Sequence, residues 1–263
     1  MENHTINHLH YNLNGTGTPL LFIAGLGADS QTWSPMIRKL SQSHQCISFD
    51  NRGIGKSDYP NDGECTVSKM ADDVKLLLDG LQIKKAHLCG HSLGGYIAQV
   101  FAARYPQHVN KLVLLSTKTK AQPVQSLYQR TTIEMMKQNV PREIIIKHAL
   151  SWLFSNDYLR SPQRVENLIK LNMSKPQAAN RKSYLYQVAA TFNLDTTDEA
   201  KKIVAPTFII SGEQDMLATP QDSATLNRLI PQSGMTIIKD MGHMFHIEAP
   251  EKLASMLIDF LAA

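Results

Sequence analysis

The 263-residue chain reads as an α/β protein: a mostly parallel sheet flanked by helices, with a helical cap inserted into it. Three observations predict this. Short, nearly continuous apolar runs recur along the sequence, as expected of strands buried on both faces. Segments with apolar residues at i, i+3, i+4 and i+7 stand between them, the alternation of a parallel sheet covered by helices. From about 118 to 201 the alternation stops, and the sequence becomes strand-poor and helical in period.

In chain order, an antiparallel edge strand or hairpin is expected at about Thr5–Leu13. Strands follow at Leu20–Ala24, Cys46–Asp50, Ala86–Cys89, Leu112–Ser116, Thr207–Ser211 and Met235–Lys239, each bounded by Gly, Pro, Asn or Asp. Met70, Val74, Leu77 and Leu78 form a helical stripe ahead of the Ala86 strand. Leu93, Tyr96, Ile97, Val100 and Phe101 form another directly after it. Leu253, Met256, Leu257, Phe260 and Leu261 repeat the spacing at the end, with Pro250 and Glu251 suited to a first turn. Inside 118–201, Ser161-Pro162 reads as a cap and first-turn proline leading to Val165, Leu168, Ile169 and Met173, while Leu185, Val188, Ala189 and Phe192 form a further stripe. A helical insert of this length does not belong in a simple crossover. The expected organisation is therefore a core of 1–117 and 202–263, with 118–201 as a lid over one end of the sheet.

Composition excludes several classes. With 43% hydrophobic and 19% charged residues, the chain is neither disordered nor highly charged. A net charge of +4, with no basic run interleaved with aromatics, gives no reason to expect a nucleic-acid partner. The polar N-terminus has no apolar core of a secretory leader, and no run approaches the ~20 apolar residues of a membrane span. Cytoplasm is the expected location, without membrane association. Three cysteines, Cys46, Cys65 and Cys89, are too few for a disulfide framework and are expected to be reduced and buried.

The chemistry concentrates at three places. Gly90-His91-Ser92-Leu93-Gly94-Gly95 joins an apolar run to a helix. A serine on such a sharp turn needs small neighbours, and gains an exposed hydroxyl at a helix N-terminus whose N–H groups can hold an oxyanion. Ser92 is the expected nucleophile. A serine hydroxyl needs an oriented base. His243 follows the last expected strand, and Asp215 follows the one before, which puts all three at the same edge of the sheet in the order Ser, Asp, His. Glu213 and Asp240 are alternative acids, but lie nearer their strands. His246, three residues after His243, could complete a metal pair, but no third ligand is evident and no metal is expected. His91 is read as a packing or hydrogen-bonding residue, and His4, His8 and His10 as surface histidines.

These motifs resemble those of the α/β-hydrolase superfamily over nearly the whole chain. Ala24-Gly25-Leu26-Gly27 stands where that family usually has His-Gly-x-Gly, and Asp50-Asn51-Arg52-Gly53-Ile54-Gly55-Lys56-Ser57 resembles its D-x-R-G-x-G-x-S turn. The resemblance implies an oxyanion hole made by the backbone N–H groups of Leu26 and Leu93. It also implies acyl-enzyme ester cleavage without a cofactor, and a purely structural role for Arg52. Ala24 departs from the family's histidine, so the support of that loop is expected to differ. Haloalkane dehalogenases and epoxide hydrolases fit poorly, because similar members carry Asp where this chain has Ser92.

The substrate is less legible. Residues 121–190 hold ten Lys and Arg against four Asp and Glu, a net +6, which suits an anionic substrate or an acidic partner as well as an ordinary solvated face. Small capped relatives with these motifs resemble pimeloyl-acyl-carrier-protein methyl ester esterases of biotin synthesis and 3-oxoadipate enol-lactonases. The reading adopted is a carboxylesterase for a small-molecule ester, with the carrier-protein methyl ester as the specific substrate and an acidic acyl-carrier protein docking on the basic cap. Alternatives are a lactone hydrolase, a lyase using the same triad, or a ligand-binding receptor.

Overall fold

The computed structural model describes residues 4–60, 65–175 and 177–262. The outer limits of the expected core at 1 and 263 lie outside the described residues. Eight strands join in one sheet: β1 (His4–Ile6), β2 (Leu9–Asn14), β3 (Thr18–Ile23), β4 (His44–Phe49), β5 (Ala86–His91), β6 (Val109–Leu115), β7 (Thr207–Gly212) and β8 (Ser233–Ile238). Their order is β1-β2-β4-β3-β5-β6-β7-β8, with β1 and β2 antiparallel and the others parallel. The expected strands are all present, most of them beginning or ending a residue or two from the apolar run. Apolar residues mark a strand's buried centre, whereas backbone pairing extends to polar flanks such as Thr18 and His44.

Twelve helices complete the described chain: α1 (Ser34–Leu40), α2 (Val67–Gly80), α3 (Leu93–Arg104), α4 (Pro123–Lys137), α5 (Arg142–Leu153), α6 (Asn156–Leu159), α7 (Pro162–Ser174), α8 (Gln177–Val188), α9 (Thr197–Lys201), α10 (Pro220–Leu229), α11 (Phe245–Glu248) and α12 (Pro250–Ala262). Residues alternate faces along each strand, which builds two cores. Leu21, Ile23, Leu88, Leu112 and Leu114 point toward α2 and α3, joining Met70, Val74, Leu77, Ile97 and Phe101. Leu20, Phe22, Cys89, Val113 and Leu115 point the other way, joining Met36 and Leu40 of α1 and Leu253 and Leu257 of α12. At roughly 1.5–3 kcal/mol for each fully buried large apolar side chain, these two layers dominate the favourable side of folding.

The strand order reverses direction between β3 and β5, because β4 lies outside one and β6 outside the other. The loops leaving the carboxyl ends of two such strands diverge to opposite faces and leave a crevice, the usual ligand site of an open α/β sheet. The loops in question are those beginning at Ala24 and at Ser92.

Helices α4–α8 run between β6 and β7, and several bonds tie them to the sheet's loops. Lys175 Nζ lies 2.7 Å from Asp29 Oδ2, Gly27 N–H donates to Gln187 Oε1 at 3.0 Å, and the Tyr59 and Ser183 hydroxyls are 2.9 Å apart. Glu248 accepts from the Ser155 hydroxyl and backbone N–H, and Met244 N–H donates to the Leu153 carbonyl at 3.0 Å. The stripe expected on α8 is only partly its inner face: Val188 is buried but Leu185 is 38% exposed, and the polar Ser183 and Gln187 are buried instead. This helix turns polar groups inward because it bonds to loops. Helix α9 packs on α3, with Ala200 in the core.

Of the three N-terminal histidines, His10 is buried, whereas His4 and His8 are half-buried. His10 is 6% exposed, its N–H donating to Ser57 Oγ, and His8 Nε2 lies 2.9 Å from Asp73 Oδ1. The cause is the Asp50–Ser57 turn, which folds back over β2: Asp50 N–H donates to the His10 carbonyl and Asp58 N–H to that of His8. Asp50 also holds this turn together, accepting from Ser30 N–H and Lys56 N–H at 2.7 and 2.9 Å. Arg52 makes the structural contacts expected of it, a two-pronged pair with Asp73 at 2.6 and 2.8 Å, both side chains buried. Removing one partner of such a pair strands the other's charge. Arg52→Met is expected to lower the unfolding free energy by about 3–5 kcal/mol in urea titrations. A loss under about 1 kcal/mol would mean that the pair adds no more than a surface bridge.

Candidate active site

Ser92 occupies the junction of β5 and α3 with φ 54 and ψ −115, a conformation that few non-glycine residues adopt. It survives because its neighbours lack bulk: a side chain at Gly94 would collide with the Ile23 carbonyl, and one at Gly90 with the Gly94 carbonyl. The turn is strapped to β6. Ser92 N–H donates to the Leu115 carbonyl and Thr117 Oγ1 donates to the Ser92 carbonyl, both at 2.9 Å. The hydroxyl is left half-buried at the start of α3 while its neighbours are buried.

Asp215 and His243 come together beyond β7 and β8. His243 Nδ1 lies 2.9 and 3.0 Å from the two Asp215 oxygens, and the carboxylate also accepts from Leu217 and Ala218 N–H at 2.9 Å. Burial alone would raise the Asp215 pKa. The His243 imidazole and the Ala218 N–H outweigh it, and hold the carboxyl below its usual range. A buried carboxylate in this position fixes the imidazole's orientation and tautomer, leaving Nε2 free to act as a base. Glu213 and Asp240 bond to each other instead, Asp240 N–H to Glu213 Oε2 at 3.0 Å.

Behind His243 lies a cluster of neutral histidines. His91 Nε2–H donates to the His243 carbonyl at 3.0 Å, and its ring stands 4.3 Å from that of His246. His246 in turn has Nε2 3.1 Å from Thr32 Oγ1 and packs on Trp33 at 5.0 Å, so it is a buried core residue. Burial, then the nearness of His243, pushes the His91 pKa down to about 3; burial and the other two imidazoles hold His246 well below the ordinary value. No group of three or more His, Cys, Asp and Glu side chains gathers in a metal-ligand arrangement among the described residues.

Ser92 and His243 line one cavity of about 130 Å³, together with Leu26 and Leu93. No hydrogen bond inside the protein engages the N–H of either leucine among the described residues. Where a histidine would have supported the Leu26 loop, Asn51 Nδ2 donates to the Ala24 carbonyl at 3.0 Å. The cavity brings in side chains that sequence reasoning did not single out for the site: Lys118 beyond β6, Tyr96 on α3, and Gln125 and Tyr184 from the inserted helices. Lys118 carried a signal that went unused, a lysine just past an apolar strand at the same sheet edge as Ser92.

A sequence model of the α/β-hydrolase fold matches residues 18–250. The chain belongs to this family. A Mycobacterium tuberculosis protein named for a non-heme bromoperoxidase, BpoC, is 27% identical, over 97% of this chain and 98% of its own. Among solved structures, the enol-lactonase of Burkholderia xenovorans LB400 superposes with a TM-score of 0.86 at 25% identity, over 100% of both chains. A thermophilic esterase of Thermogutta terrifontis gives 0.83 at 27% identity, over 97% of this chain and 93% of the other. The chain is thus a hydrolase of the α/β fold. No helix among the described residues is long and apolar enough to cross a membrane.

The buried histidines set a pH dependence of stability. His91 takes a proton in the folded state only near pH 3, and burial brings His87 down to about 4, against 6.5 in the unfolded chain. Between these values the unfolded state binds more protons, so stability rises with pH. Asp215, with its pKa depressed, adds a further loss only below the usual carboxylate range. The melting temperature is expected to fall steadily as pH drops from 6.5 toward 4. The fall should be shallower in His91→Gln; an equal slope in that variant would contradict the assignment.

Proposed function

We propose that this hydrolase is a serine esterase that cleaves small carboxylic esters or lactones through an acyl-enzyme. The observation that carries the reading is the shared wall of Ser92 and His243 in one cavity, with Asp215 hydrogen-bonded behind the imidazole. Ser92 Oγ attacks the carbonyl carbon as His243 Nε2 takes its proton, and the Leu26 and Leu93 N–H groups receive the oxyanion. His243 then protonates the departing alcohol. Water, deprotonated by His243, attacks the acyl-enzyme and releases the acid, restoring Ser92.

The cavity volume favours a small acyl group, and the whole-chain similarity to an enol-lactonase favours ring opening as an equal use of the same steps. A carrier-protein ester draws less support, because much of the inserted helices' positive charge is engaged locally. Lys147, Lys170 and Arg160 pair with Glu143, Glu166 and Asp157. Arg142 donates to carbonyls at the end of α7, and Arg130, Arg164 and Lys182 lie over aromatic rings. A cytoplasmic setting suits the three free, buried thiols.

Ser92→Ala is expected to lower kcat for p-nitrophenyl acetate by about 10⁴-fold or more, and Asp215→Asn by about 10⁴-fold, with folding intact by circular dichroism. A fluorophosphonate should label Ser92 in the wild type. Wild-type turnover by folded Ser92→Ala would overturn the proposal. Tight ligand binding with negligible turnover of every ester and lactone tried would favour a receptor instead.

A further inference from the structure

Lys118 is 3% exposed, yet it lines the cavity that holds Ser92 and His243. Its position is fixed from both ends. The backbone carbonyl accepts from Gln99 Nε2 of α3 at 3.1 Å, and the ammonium donates to the Leu217 carbonyl across the sheet edge. An ammonium carries three N–H donors, and a single neutral carbonyl cannot satisfy them. No carboxylate lies within ion-pair distance among the described residues. Burial lowers the Lys118 pKa from its ordinary value; Asp222 and Asp215 offset this only from further away, and both are bonded elsewhere, Asp222 to Thr219 and Asp215 to His243. A buried cation without a counter-ion is expensive for a fold to keep, and an apolar residue of the same length would be cheaper.

A second group lining the cavity is also incomplete. Tyr96 stands one turn along α3 from Ser92, is 3% exposed, lines the same cavity, and has a hydroxyl with no hydrogen-bond partner. Both residues line the one cavity that also holds Ser92 and His243. A fixed ammonium and an unpartnered phenol O–H together offer a charge and a directed donor, the complement of a carboxylate.

We propose that Lys118 and Tyr96 form a subsite for a carboxylate borne by the substrate, so that the preferred esters are hemiesters or lactones of short dicarboxylic acids. The inference rests on Ser92 being the nucleophile. A cavity of about 130 Å³ contains both the subsite and Ser92, so only a short chain can separate the carboxylate from the scissile carbonyl. Hydrolysis then takes one hemiester anion and one water to a dicarboxylate, an alcohol and a proton released to solvent, with Lys118 holding the spectator carboxylate throughout. The competing role is a strut, in which Lys118 only positions the Leu217 loop that carries Asp215.

The test compares monomethyl succinate and monomethyl glutarate with methyl butyrate and methyl valerate, their uncharged counterparts, in wild type, Lys118→Met, Lys118→Arg and Tyr96→Phe. Wild type is expected to prefer the hemiesters in kcat/KM. Lys118→Met should reduce the hemiester-to-neutral ratio by about 10–100-fold, mainly through KM, the range of a lost charge-assisted hydrogen bond. Tyr96→Phe should reduce the ratio less, and Lys118→Arg should restore part of it. A ratio unchanged in Lys118→Met, whatever the absolute rates, overturns the subsite in favour of the strut, as does a wild type indifferent to the carboxylate. Calorimetric binding of glutarate to Ser92→Ala separates the two readings. If esterolysis is absent but glutarate binds and Lys118→Met weakens it at least tenfold, the subsite stands and the nucleophile assignment fails. If glutarate does not bind at all, the subsite fails.

Discussion

The rest of the structure depends on the close approach of chain segments around Ser92. Strand β5 must reverse into α3 within a single residue, and it does so against β3 on one side and β6 on the other. The positive φ at Ser92 costs on the order of 1–3 kcal/mol, and persists only because its surroundings over-determine it. Gly90 and Gly94 give the backbone room, and the Leu115 carbonyl and Thr117 hydroxyl hold the turn. The strain points the serine side chain out of the sheet while its neighbours stay buried. Without that junction, neither the hydroxyl nor the start of α3 would face the crevice.

The same crowding explains why the layer behind the site is aromatic and neutral. His91 is buried beside the turn, where it borders the cavity and meets His246 and Trp33. With its pKa near 3 it supplies a neutral N–H to the His243 carbonyl, steadying the proposed base without adding a competing positive charge. A second cation here would work against the imidazolium that the proposed reaction forms on His243. Polarity across the site is therefore graded, with a carboxylate beside His243, neutral rings behind it, and Lys118 on another wall of the cavity.

What could be read in the sequence was whatever burial writes as a period or a run. The strands, α2, α3 and α12 followed directly from apolar spacing, and the candidates Ser92, Asp215 and His243 could be picked out because each lies shortly beyond the end of such a run. Polar burial leaves no such trace. The inward face of α8 carries Ser183 and Gln187 because their partners, Tyr59 and Gly27, lie far away in the sequence, and no local pattern announces a bond across 160 residues. His10 looked like one of several scattered surface histidines until the Asp50–Ser57 turn folded over it. The positive charge of 121–190 was countable, but its local pairing was not. Lys118 fell at the margin of the expected lid and was read with it, although its side chain belongs to the crevice.

The bond between Gly27 and Gln187 carries a mechanical corollary. Leu26 sits on the loop that ends at Gly27, and Tyr184, in the cavity wall, sits on the same helix as Gln187. An outward swing of that helix must either break this link or drag the loop with it. The link couples the cavity wall to the loop of one proposed oxyanion donor, so the proposed cradle would be complete only in the shut enclosure.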